Sequence, residues 1–275
     1  MSFLDFAGEL RRWSREAAVP VVVLRRVDST NVLSRVVTRR LAGQRTGPRR
    51  ALYVAWEQTA GRGRLGRSWV SSPGLGVYAT LVLAPVPVAP PVAMLPLVAG
   101  IGFCRALRAR LPAVGLKWPN DLVVVGRKIG GILIETLPME NGGQAALIGF
   151  GVNYGHERSE LPTALATSVC VEGAAPDRGG RGLAKLVGTL STGLLDALGE
   201  LEEPSRVLDA YRELVVHRPG DTLRCRIQER SIEGHFVDFD GHGRLRVRCG
   251  DETVVVAAGD VLEGERTLAD VEAAG

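Results

Sequence analysis

Short apolar runs alternate with polar loops along most of the chain, a pattern typical of a sheet flanked by helices. Apolar runs predict strands at residues 21–27, 51–55, 76–83, 116–125, 129–135 and 145–152. Helical periodicity predicts helices after Asp28 or Ser29, from about residue 91 to 111, and at residues 182–201 and 204–216. The Gly126-Arg127-Lys128 break between two apolar runs predicts a hairpin. These elements indicate an α/β or α+β sheet.

The last part of the chain has a different pattern. After the break at His217-Arg218-Pro219-Gly220, short strands are predicted at residues 222–228, 231–238, 245–249 and 253–257. Turns are predicted at Asp240-Gly241 and Gly250-Asp251. This spacing indicates a small SH3-like β-barrel, so the sequence predicts two domains, residues 1–216 and 217–275.

The apolar segment from Leu81 to Cys104 carries no charge and is long enough to span a bilayer. Its five prolines would remove hydrogen bonds from such a helix: Pro85, Pro87, Pro90, Pro91 and Pro96. We therefore expect a strand, a proline-rich loop and a buried helix here, and no membrane association. The N-terminus mixes charged and apolar residues, which predicts a short amphipathic helix and excludes a signal peptide.

Composition narrows the function class only slightly. The four cysteines, Cys104, Cys170, Cys225 and Cys249, form no CxxC pair, which argues against a zinc site or a secreted disulfide framework and favours the cytosol. The net charge is +4, and arginine supplies nearly all the cations because the chain has only three lysines. This balance is compatible with a phosphate or nucleic-acid partner without requiring one.

The segment from Glu57 to Trp69 is the strongest chemical signal. Glycines and arginines alternate in Gly61-Arg62-Gly63-Arg64-Leu65-Gly66-Arg67. Glycine lets the backbone approach a ligand, and arginine matches phosphate or carboxylate oxygens, so the loop is suited to bind an anion. A solvated basic loop or an RNA-binding RG tract would share this composition, but the position between two apolar runs favours a folded site.

A second signal is Lys117-Trp118-Pro119-Asn120-Asp121, followed by residues 127–135 with the sequence RKIGGILIE. A lone lysine is usually a solvated surface group. Lys117 is one of three lysines and lies in apolar sequence, which favours a functional charge.

Two weaker signals complete the set. Asp28-Ser29-Thr30-Asn31 contains the residue types of a helix cap, and capping does not exclude ligand binding. The segment Gly149-Phe150-Gly151-Val152-Asn153 brings glycines to a strand end, where Asn153 could be a turn residue.

In this order and spacing the four segments resemble the biotin protein ligases. The GRGRxGRxW loop of that family is present at Gly61 to Trp69, and its KWPND segment is intact at Lys117 to Asp121. The resemblance covers essentially the whole chain. It implies an α+β fold, with a central mixed β-sheet flanked by helices, shared with lipoate ligases, and an SH3-like C-terminal domain.

The resemblance also implies roles for individual residues. Lys117 and Arg64 are the catalytic candidates, and Lys117 would contact the reacting carboxylate and the adenylate phosphate. Biotin binding is assigned to Ser29, Thr30, Asn31, Gln58, Arg62, Gly63, Arg64, Lys117, Gly131 and Ile132. Nucleotide binding is assigned to Arg62, Arg64, Arg67, Trp69, Asn120 and Asn153.

The implied reaction uses ATP and Mg²⁺ to activate biotin as biotinyl-5′-AMP and passes biotin to a lysine of a biotin carboxyl carrier domain. Mg²⁺ would arrive on the ATP phosphates, with Asp121 or Asn120 as the candidate to orient it, and no permanent metal site is expected. A lipoate or octanoate ligase or transferase on the same core is the rival enzyme. A non-enzymatic biotin sensor or an RNA-binding module is the rival from another class.

Two expectations concern assembly. The predicted first strand begins at Val21, which leaves too little chain before it for a helix-turn-helix, so no sequence-specific DNA binding is expected. The family commonly forms homodimers through sheet edges, which the sequence pattern neither supports nor excludes.

Overall fold

The computed structural model describes residues 2–41, 50–86, 89–139, 143–174, 180–227, 230–257 and 259–262. Pro87, Gln228 and the part of the predicted C-terminal domain beyond residue 262 lie outside the described residues.

A seven-stranded mixed sheet forms the centre of the molecule. Its strands are β1 (Val21–Leu24), β2 (Arg50–Ala55), β3 (Gly76–Leu83), β4 (Val114–Lys117), β5 (Asp121–Val124), β6 (Arg127–Pro138) and β7 (Gln144–Asn153). The strand order is β1-β2-β3-β7-β6-β5-β4. Only the β1–β2 pair among these is parallel, and the others are antiparallel. The central mixed sheet implied by the resemblance is confirmed.

The helices of this part are α1 (Phe3–Glu16), α2 (Thr30–Leu41), α3 (Leu95–Arg108), α4 (Gly180–Glu200) and α5 (Pro204–Leu214). Strand alternation divides them between the two faces of the sheet. On one face, α1, α3, α4 and α5 share the main core with even-numbered β7 residues such as Ile148. On the other face, Leu33 and Val37 of α2 pack against Leu147. Both faces of the sheet are therefore covered.

The uncharged segment folds as expected, with β3 ending at Leu83 and α3 beginning at Leu95 after a 3₁₀ turn at Val92–Met94. The prolines end the strand and delay the helix, which explains why α3 begins later than predicted. Among the described residues, no helix has the length and apolar character needed to cross a bilayer.

The predicted strand at residues 116–125 is wrong in one respect, because the structure divides it. Strand β4 ends at Lys117, and β5 begins at Asp121 and runs back antiparallel to it, so that Lys117 pairs with Asp121. Pro119, which follows a cis peptide bond, cannot donate a backbone hydrogen bond and lies in the turn between the strands. The hairpin between β5 and β6 is confirmed, with positive φ at Val125 and Gly126 as a type I′ turn requires.

A second, antiparallel sheet follows α5. It consists of β8 (Thr222–Ile227), β9 (Arg230–Phe239), β10 (Leu245–Cys249), β11 (Glu252–Val256) and β12 (Asp260–Leu262) in the order β11-β10-β9-β8-β12. The sequence did not predict β12. Within the described residues β11 and β12 do not pair with each other, so the sheet has two edges where a closed barrel was expected.

The contacts that join this sheet to the rest of the chain include one to the β4–β5 turn and one to α5. The indole Nε1 of Trp118 donates to the carbonyl of Gly243 at 3.0 Å. The rings of Tyr211 and Phe239 meet edge to face with centroids 5.2 Å apart. Both contacts are buried, so the small sheet has a defined position beside the β4–β5 turn.

Candidate active site

A cavity opens on the face of the large sheet that carries α2, where glycines replace side chains. Along β7, Ala145 and Leu147 pack on that face, and the next two residues on it are Gly149 and Gly151. Gly131 lies opposite Gly151 on β6. Because these positions lack side chains, they leave space above the sheet beside the first turn of α2.

Neutral polar groups form one end of the cavity. Ser29, Thr30 and Asn31 at the start of α2 are all less than 5% exposed, at 2%, 3% and 4%. The side-chain carbonyl of Gln58 accepts from the Thr30 amide at 2.9 Å, and the Gln58 amide donates to Ser71 Oγ at 3.0 Å. Gln58 thus satisfies one of the amide donors that a helix start leaves unpaired.

The glycine- and arginine-rich loop is folded. The Gly63 amide donates to the Arg67 carbonyl at 2.6 Å, and the Trp69 amide donates to the Gly61 carbonyl at 2.9 Å. Gly61 has no room for a side chain, because a Cβ there would lie 2.4 Å from the Trp69 carbonyl oxygen. The interpretation as a folded anion site is therefore favoured over a solvated tract.

Arg64 connects this loop to both sheets. Its guanidinium donates to Asn120 Oδ1 at 2.9 Å and to the Gly259 carbonyl at 3.3 Å. The Nδ2 group of Asn120 in turn donates to the Ile132 carbonyl at 2.8 Å, which fixes the orientation of its amide. Arg64 is thus oriented in the cavity by Asn120 of the β4–β5 turn and by Gly259, the residue before β12.

Trp69 and Lys128 lie next to each other in the cavity lining. The indole of Trp69 lies against Gly151, where a Cβ would meet its Cε2 atom at 2.6 Å. The Lys128 ammonium lies 5.7 Å from the centre of the Trp69 ring and donates to Asp121 Oδ1 at 2.6 Å. Trp69 Nε1 is buried and has no hydrogen-bond partner among the described residues, so a ligand acceptor could satisfy it.

Most residues assigned by resemblance meet in this cavity. Its lining includes Ser29, Thr30, Asn31, Gln58, Arg62, Gly63, Arg64, Arg67, Trp69, Asn120, Asp121, Gly131 and Ile132. It also includes residues that the sequence reasoning did not assign: Ser68, Ala79, Lys128, Leu133, Gly149, Phe150 and Gly151. Lys128 is the most important of these for the chemistry, since it brings an ammonium group to the lining.

Two assigned residues, Lys117 and Asn153, do not line the cavity. Asn153 is buried, and its Nδ2 donates to the Thr167 carbonyl at 2.9 Å. Lys117 ends β4, which lies beyond β5 at the sheet edge, and its charge helps to lower the pKa of His217 after the larger effect of burial. The geometry therefore favours Lys128 over Lys117 as the cation of the site.

The charges of the lining suit an anion. Arg62, Arg64, Arg67 and Lys128 are its cations, and Asp121 is its carboxylate. The lining thus combines neutral hydrogen-bonding groups with an excess of positive charge. Such a cavity can hold a polar ring and bring a carboxylate next to a phosphate.

Comparisons with known proteins agree with this geometry. Residues 23–153 match the model of the biotin/lipoate A/B protein ligase family, and residues 224–262 match the biotin protein ligase C-terminal domain. The biotin--[acetyl-CoA-carboxylase] ligase of Mycobacterium tuberculosis is 31% identical over 224 residues, covering 77% of this chain and 78% of that protein. The chain belongs to the biotin protein ligase family.

Other members of the biotin protein ligase family are similar over different lengths. The bifunctional ligase/repressor of Bacillus spizizenii is 35% identical over 138 residues, which is 48% of this chain and 42% of that protein. The chain thus matches less than half the length of that relative. A biotin protein ligase from Aquifex aeolicus, solved in complex with biotin and ATP, has a TM-score of 0.65 at 26% identity and covers 88% of this chain and 97% of its own.

Proposed function

We propose that this chain activates biotin with ATP to biotinyl-5′-AMP, releasing pyrophosphate, and then transfers biotin to a lysine of a biotin carboxyl carrier domain. The observation that carries the proposal is a single cavity with buried neutral hydrogen-bonding groups at one end and four cationic side chains among its other lining residues. Family membership and the M. tuberculosis relative, which is named for this activity, support it.

The neutral end is assigned to the biotin ring. Ser29, Thr30 and Gln58 offer hydroxyl and amide groups that match the N–H and C=O groups of a cyclic urea. A dithiolane ring or a plain acyl chain has no such groups and would make no hydrogen bonds with this part of the lining. The proposed substrate is therefore biotin, with lipoate or octanoate as the rival acyl group.

The cationic end is assigned to the reaction. The biotin carboxylate attacks the α-phosphorus of ATP, and the bond from that phosphorus to the pyrophosphate oxygen breaks. Two anions must approach each other, and like charges 4 Å apart repel by about 1 kcal/mol even in water. We assign Lys128 and Arg64 to offset this repulsion and Arg62, Arg67, Trp69 and Asn120 to bind the nucleotide, an assignment supported by their shared cavity.

Transfer completes the cycle. The amine of the carrier lysine attacks the acyl carbon of the adenylate, AMP leaves, and the amine loses a proton to give an amide bond. A mixed anhydride is labile in water, so the folded loop at Gly61 to Trp69 would serve to keep water from it.

Mg²⁺ is compatible with this site as an ion carried by the nucleotide. Within the described residues no three His, Cys, Asp or Glu side chains cluster as metal ligands. Asp121 supplies the one carboxylate of the described lining, and Lys128 already bonds one of its oxygens. Mg²⁺ commonly binds through one or two carboxylates and substrate phosphates, and it would neutralise phosphate charge here.

We further propose domains at residues 1–216 and 217–275, supported by the end of α5 at Leu214 and the start of β8 at Thr222.

A cytoplasmic location is supported by the four cysteines, which are all free thiols. Burial raises the pKa of Cys104 and Cys225 to about 11, as expected of packing residues. Homodimer formation and the lack of sequence-specific DNA binding stay predictions.

The test is transfer of labelled biotin to a purified biotin carrier domain with Mg-ATP, run beside lipoate and octanoate. We expect labelling with biotin only, accompanied by pyrophosphate release. A preference for octanoate or lipoate would establish the rival activity. Binding of biotin without adenylation would indicate a sensor.

A further inference from the structure

Helix α4 is mostly buried and exposes one narrow stripe of polar and charged residues. It packs between α1 and α3 on the sheet face that does not carry the cavity. The exposed residues are three or four positions apart, so they lie on one side of the helix. In this α4 stripe the first two residues are cations, the middle two are threonines and the last two are carboxylates: Arg181, Lys185, Thr189, Thr192, Asp196 and Glu200.

This order of charges does not stabilise α4 itself. A helix favours carboxylates near its N-terminus and cations near its C-terminus, and α4 has neither in those turns. Arg181 and Lys185 are four residues apart, as are Asp196 and Glu200, and like charges at that spacing destabilise a helix. The arrangement therefore points to a contact outside the helix.

The two inner charges of the α4 stripe have no such contact within the described part of the chain. The two outer charges form ion pairs with neighbouring helices, to Asp5 of α1 at 4.0 Å and to Arg105 of α3 at 3.1 Å. Lys185 and Asp196 are exposed, and their side chains make no hydrogen bond or ion pair with any described residue. These two side chains are therefore open to a second molecule.

The charges of the α4 stripe are arranged symmetrically about a point between residues 190 and 191. Lys185 and Asp196 lie equally far from that point on opposite sides, as do Arg181 and Glu200. When a second α4 lies antiparallel to the first with the two midpoints together, each cation therefore faces a carboxylate. A parallel arrangement would place like charges together. The stripe is thus complementary to an antiparallel copy of itself.

The surroundings of the α4 stripe leave room for a second helix to approach. A groove of about 850 Å³ lies along α4, with α1 and α3 on its sides. Near the midpoint its lining has only glycines and short side chains, at Gly188, Thr189, Thr192 and Gly193. Helix axes in packed pairs are about 8–10 Å apart, and small residues at the crossing favour the closer distances.

We propose that a second copy of this chain docks on the α4 stripe, with the two α4 helices antiparallel and Lys185 of each copy paired with Asp196 of the other. Such an interface is isologous, so every contact occurs twice. Obligate interfaces are largely apolar, and this one is charged and polar, so the dimer should be weak and sensitive to salt.

This interface is distinct from the sheet edges to which the family resemblance points. It lies on the sheet face opposite α2, so each copy keeps an open cavity. The proposal does not depend on the proposed function. Biotin transfer by the charge variants described below should equal that of the wild type.

Sedimentation equilibrium of the full chain at two salt concentrations is the first measurement. The Debye length is about 10 Å at 0.1 M salt and about 3 Å at 1 M, so the dissociation constant of the dimer should rise about tenfold or more between them. A chain that stays monomeric at the lower salt concentration would overturn the proposal, and so would a dimer that high salt does not weaken.

Lys185→Asp and Asp196→Lys are the paired variants. Each replaces two attractions in the dimer with two repulsions. One exposed ion pair typically changes an equilibrium constant by about 1.5- to 5-fold, so we expect each variant to weaken the dimer about tenfold or more. Arg11→Asp and Asp251→Lys make the same changes in net charge at exposed positions outside the groove, and both should dimerise like the wild type.

The decisive experiment mixes the two paired variants. In a mixed dimer one copy presents two carboxylates and the other presents two ammonium groups, so both antiparallel contacts are attractive again. We expect the mixture to dimerise about as strongly as the wild type, and the double variant Lys185→Asp/Asp196→Lys to do so alone. Wild-type dimerisation by the single variants, or a mixture that stays monomeric, would overturn the proposal. Absence of biotin transfer would overturn only the proposed function.

Discussion

The ammonium of Lys128 donates to the carboxylate of Asp121 at 2.6 Å, between the two strands that the β5–β6 hairpin joins. This pair faces the cavity, and the Trp69 ring lies 5.7 Å from the same ammonium. The ion pair and the ring hold the lysine beside the space assigned to the reacting carboxylate. Lys117, only four residues before Asp121 and paired with it on β4, is not part of the lining.

Lys128 should therefore be far more important to adenylation than Lys117. A fixed cation beside developing charge typically contributes about 10²- to 10³-fold in rate. We expect Lys128→Gln to lower kcat for pyrophosphate release by about that factor and Lys117→Gln to lower it by less than about tenfold. Biotin-dependent exchange of labelled pyrophosphate into ATP measures both variants directly.

The paired design makes either outcome informative. Both substitutions remove one positive charge and keep a side chain of similar length, so a change in net charge cannot distinguish them. If Lys117→Gln showed the larger loss, the assignment made by resemblance would be right and the one based on the cavity wrong.

The sequence was sufficient for the fold class and for most of the cavity, for reasons that particular residues show. The loop from Gly61 to Trp69 combines glycines with arginines, and the apolar runs on either side indicate that it lies between strands. The start of α2 was found because Ser, Thr and Asn are residue types that begin helices. In each case local composition carries the signal.

Other features depend on strand pairing, which local composition does not reveal. The predicted strand at residues 116–125 hides the turn at Pro119, and without that turn the sequence does not show that Lys128 lines the cavity and Lys117 does not. Strand β12 was missed because its three residues pair with β8, more than thirty positions earlier in the chain. The role of Gly149 follows from its pairing with Thr80 and with Leu133, two strands that no local pattern connects.

Gly149 should tolerate no side chain. A Cβ there would lie 2.1 Å from Asn31 Oδ1, so Gly149→Ala must displace Asn31 from Thr80. Overpacking of this kind typically costs about 1–3 kcal/mol. We expect a comparable loss of unfolding free energy, together with a rise of roughly tenfold or more in KM for biotin.

Gly8→Ala is the control for the added methyl group. Gly8 lies within α1, and a Cβ there would meet nothing within 4 Å. This substitution should raise the unfolding free energy by about 0.5–1 kcal/mol and leave KM for biotin unchanged. Equal effects of the two substitutions in urea melts would contradict the predicted clash at Gly149.

The hydrogen bond of Trp118 to the second sheet should add to the unfolding free energy of the chain. Its Nε1 donates to the Gly243 carbonyl at 3.0 Å, and the indole is only 3% exposed. Trp118→Phe removes the donor and leaves a buried carbonyl unpaired, which typically costs about 1–3 kcal/mol. Trp13→Phe removes a similar bond, to Thr192 Oγ1 at 3.1 Å, in an exposed place where water can replace it.

Urea denaturation of both tryptophan variants tests this difference. The Trp118→Phe loss should exceed the Trp13→Phe loss, which we expect to be below about 1 kcal/mol. A smaller loss for Trp118→Phe would mean that the Trp118–Gly243 bond does not contribute to the stability of the folded chain.

His217 should make the fold sensitive to mild acid. Its pKa is lowered to about 4, chiefly by burial; the charges of Lys117 and Arg218 act in the same direction, and Asp221 opposes them. The unfolded chain, with a histidine pKa of 6.5, therefore binds a proton between pH 6.5 and about 4 that the folded chain does not bind. The stability from a neutral His217 is present above pH 6.5 and is lost as the pH falls towards 4.

The size of this loss follows from the difference in bound protons between the unfolded and the folded chain. One proton bound only by the unfolded chain costs about 1.4 kcal/mol per pH unit, so the contribution should fall by about 2 kcal/mol between pH 7.5 and 5.0. His217→Asn removes the titrating group, and its unfolding free energy should change by about 2 kcal/mol less over the same interval. Because carboxylates titrate alike in both proteins, the difference between their urea melts isolates His217. If the two proteins lost stability in parallel, His217 would take up its proton without unfolding, most readily through its buried Nε2 atom, which has no partner among the described residues.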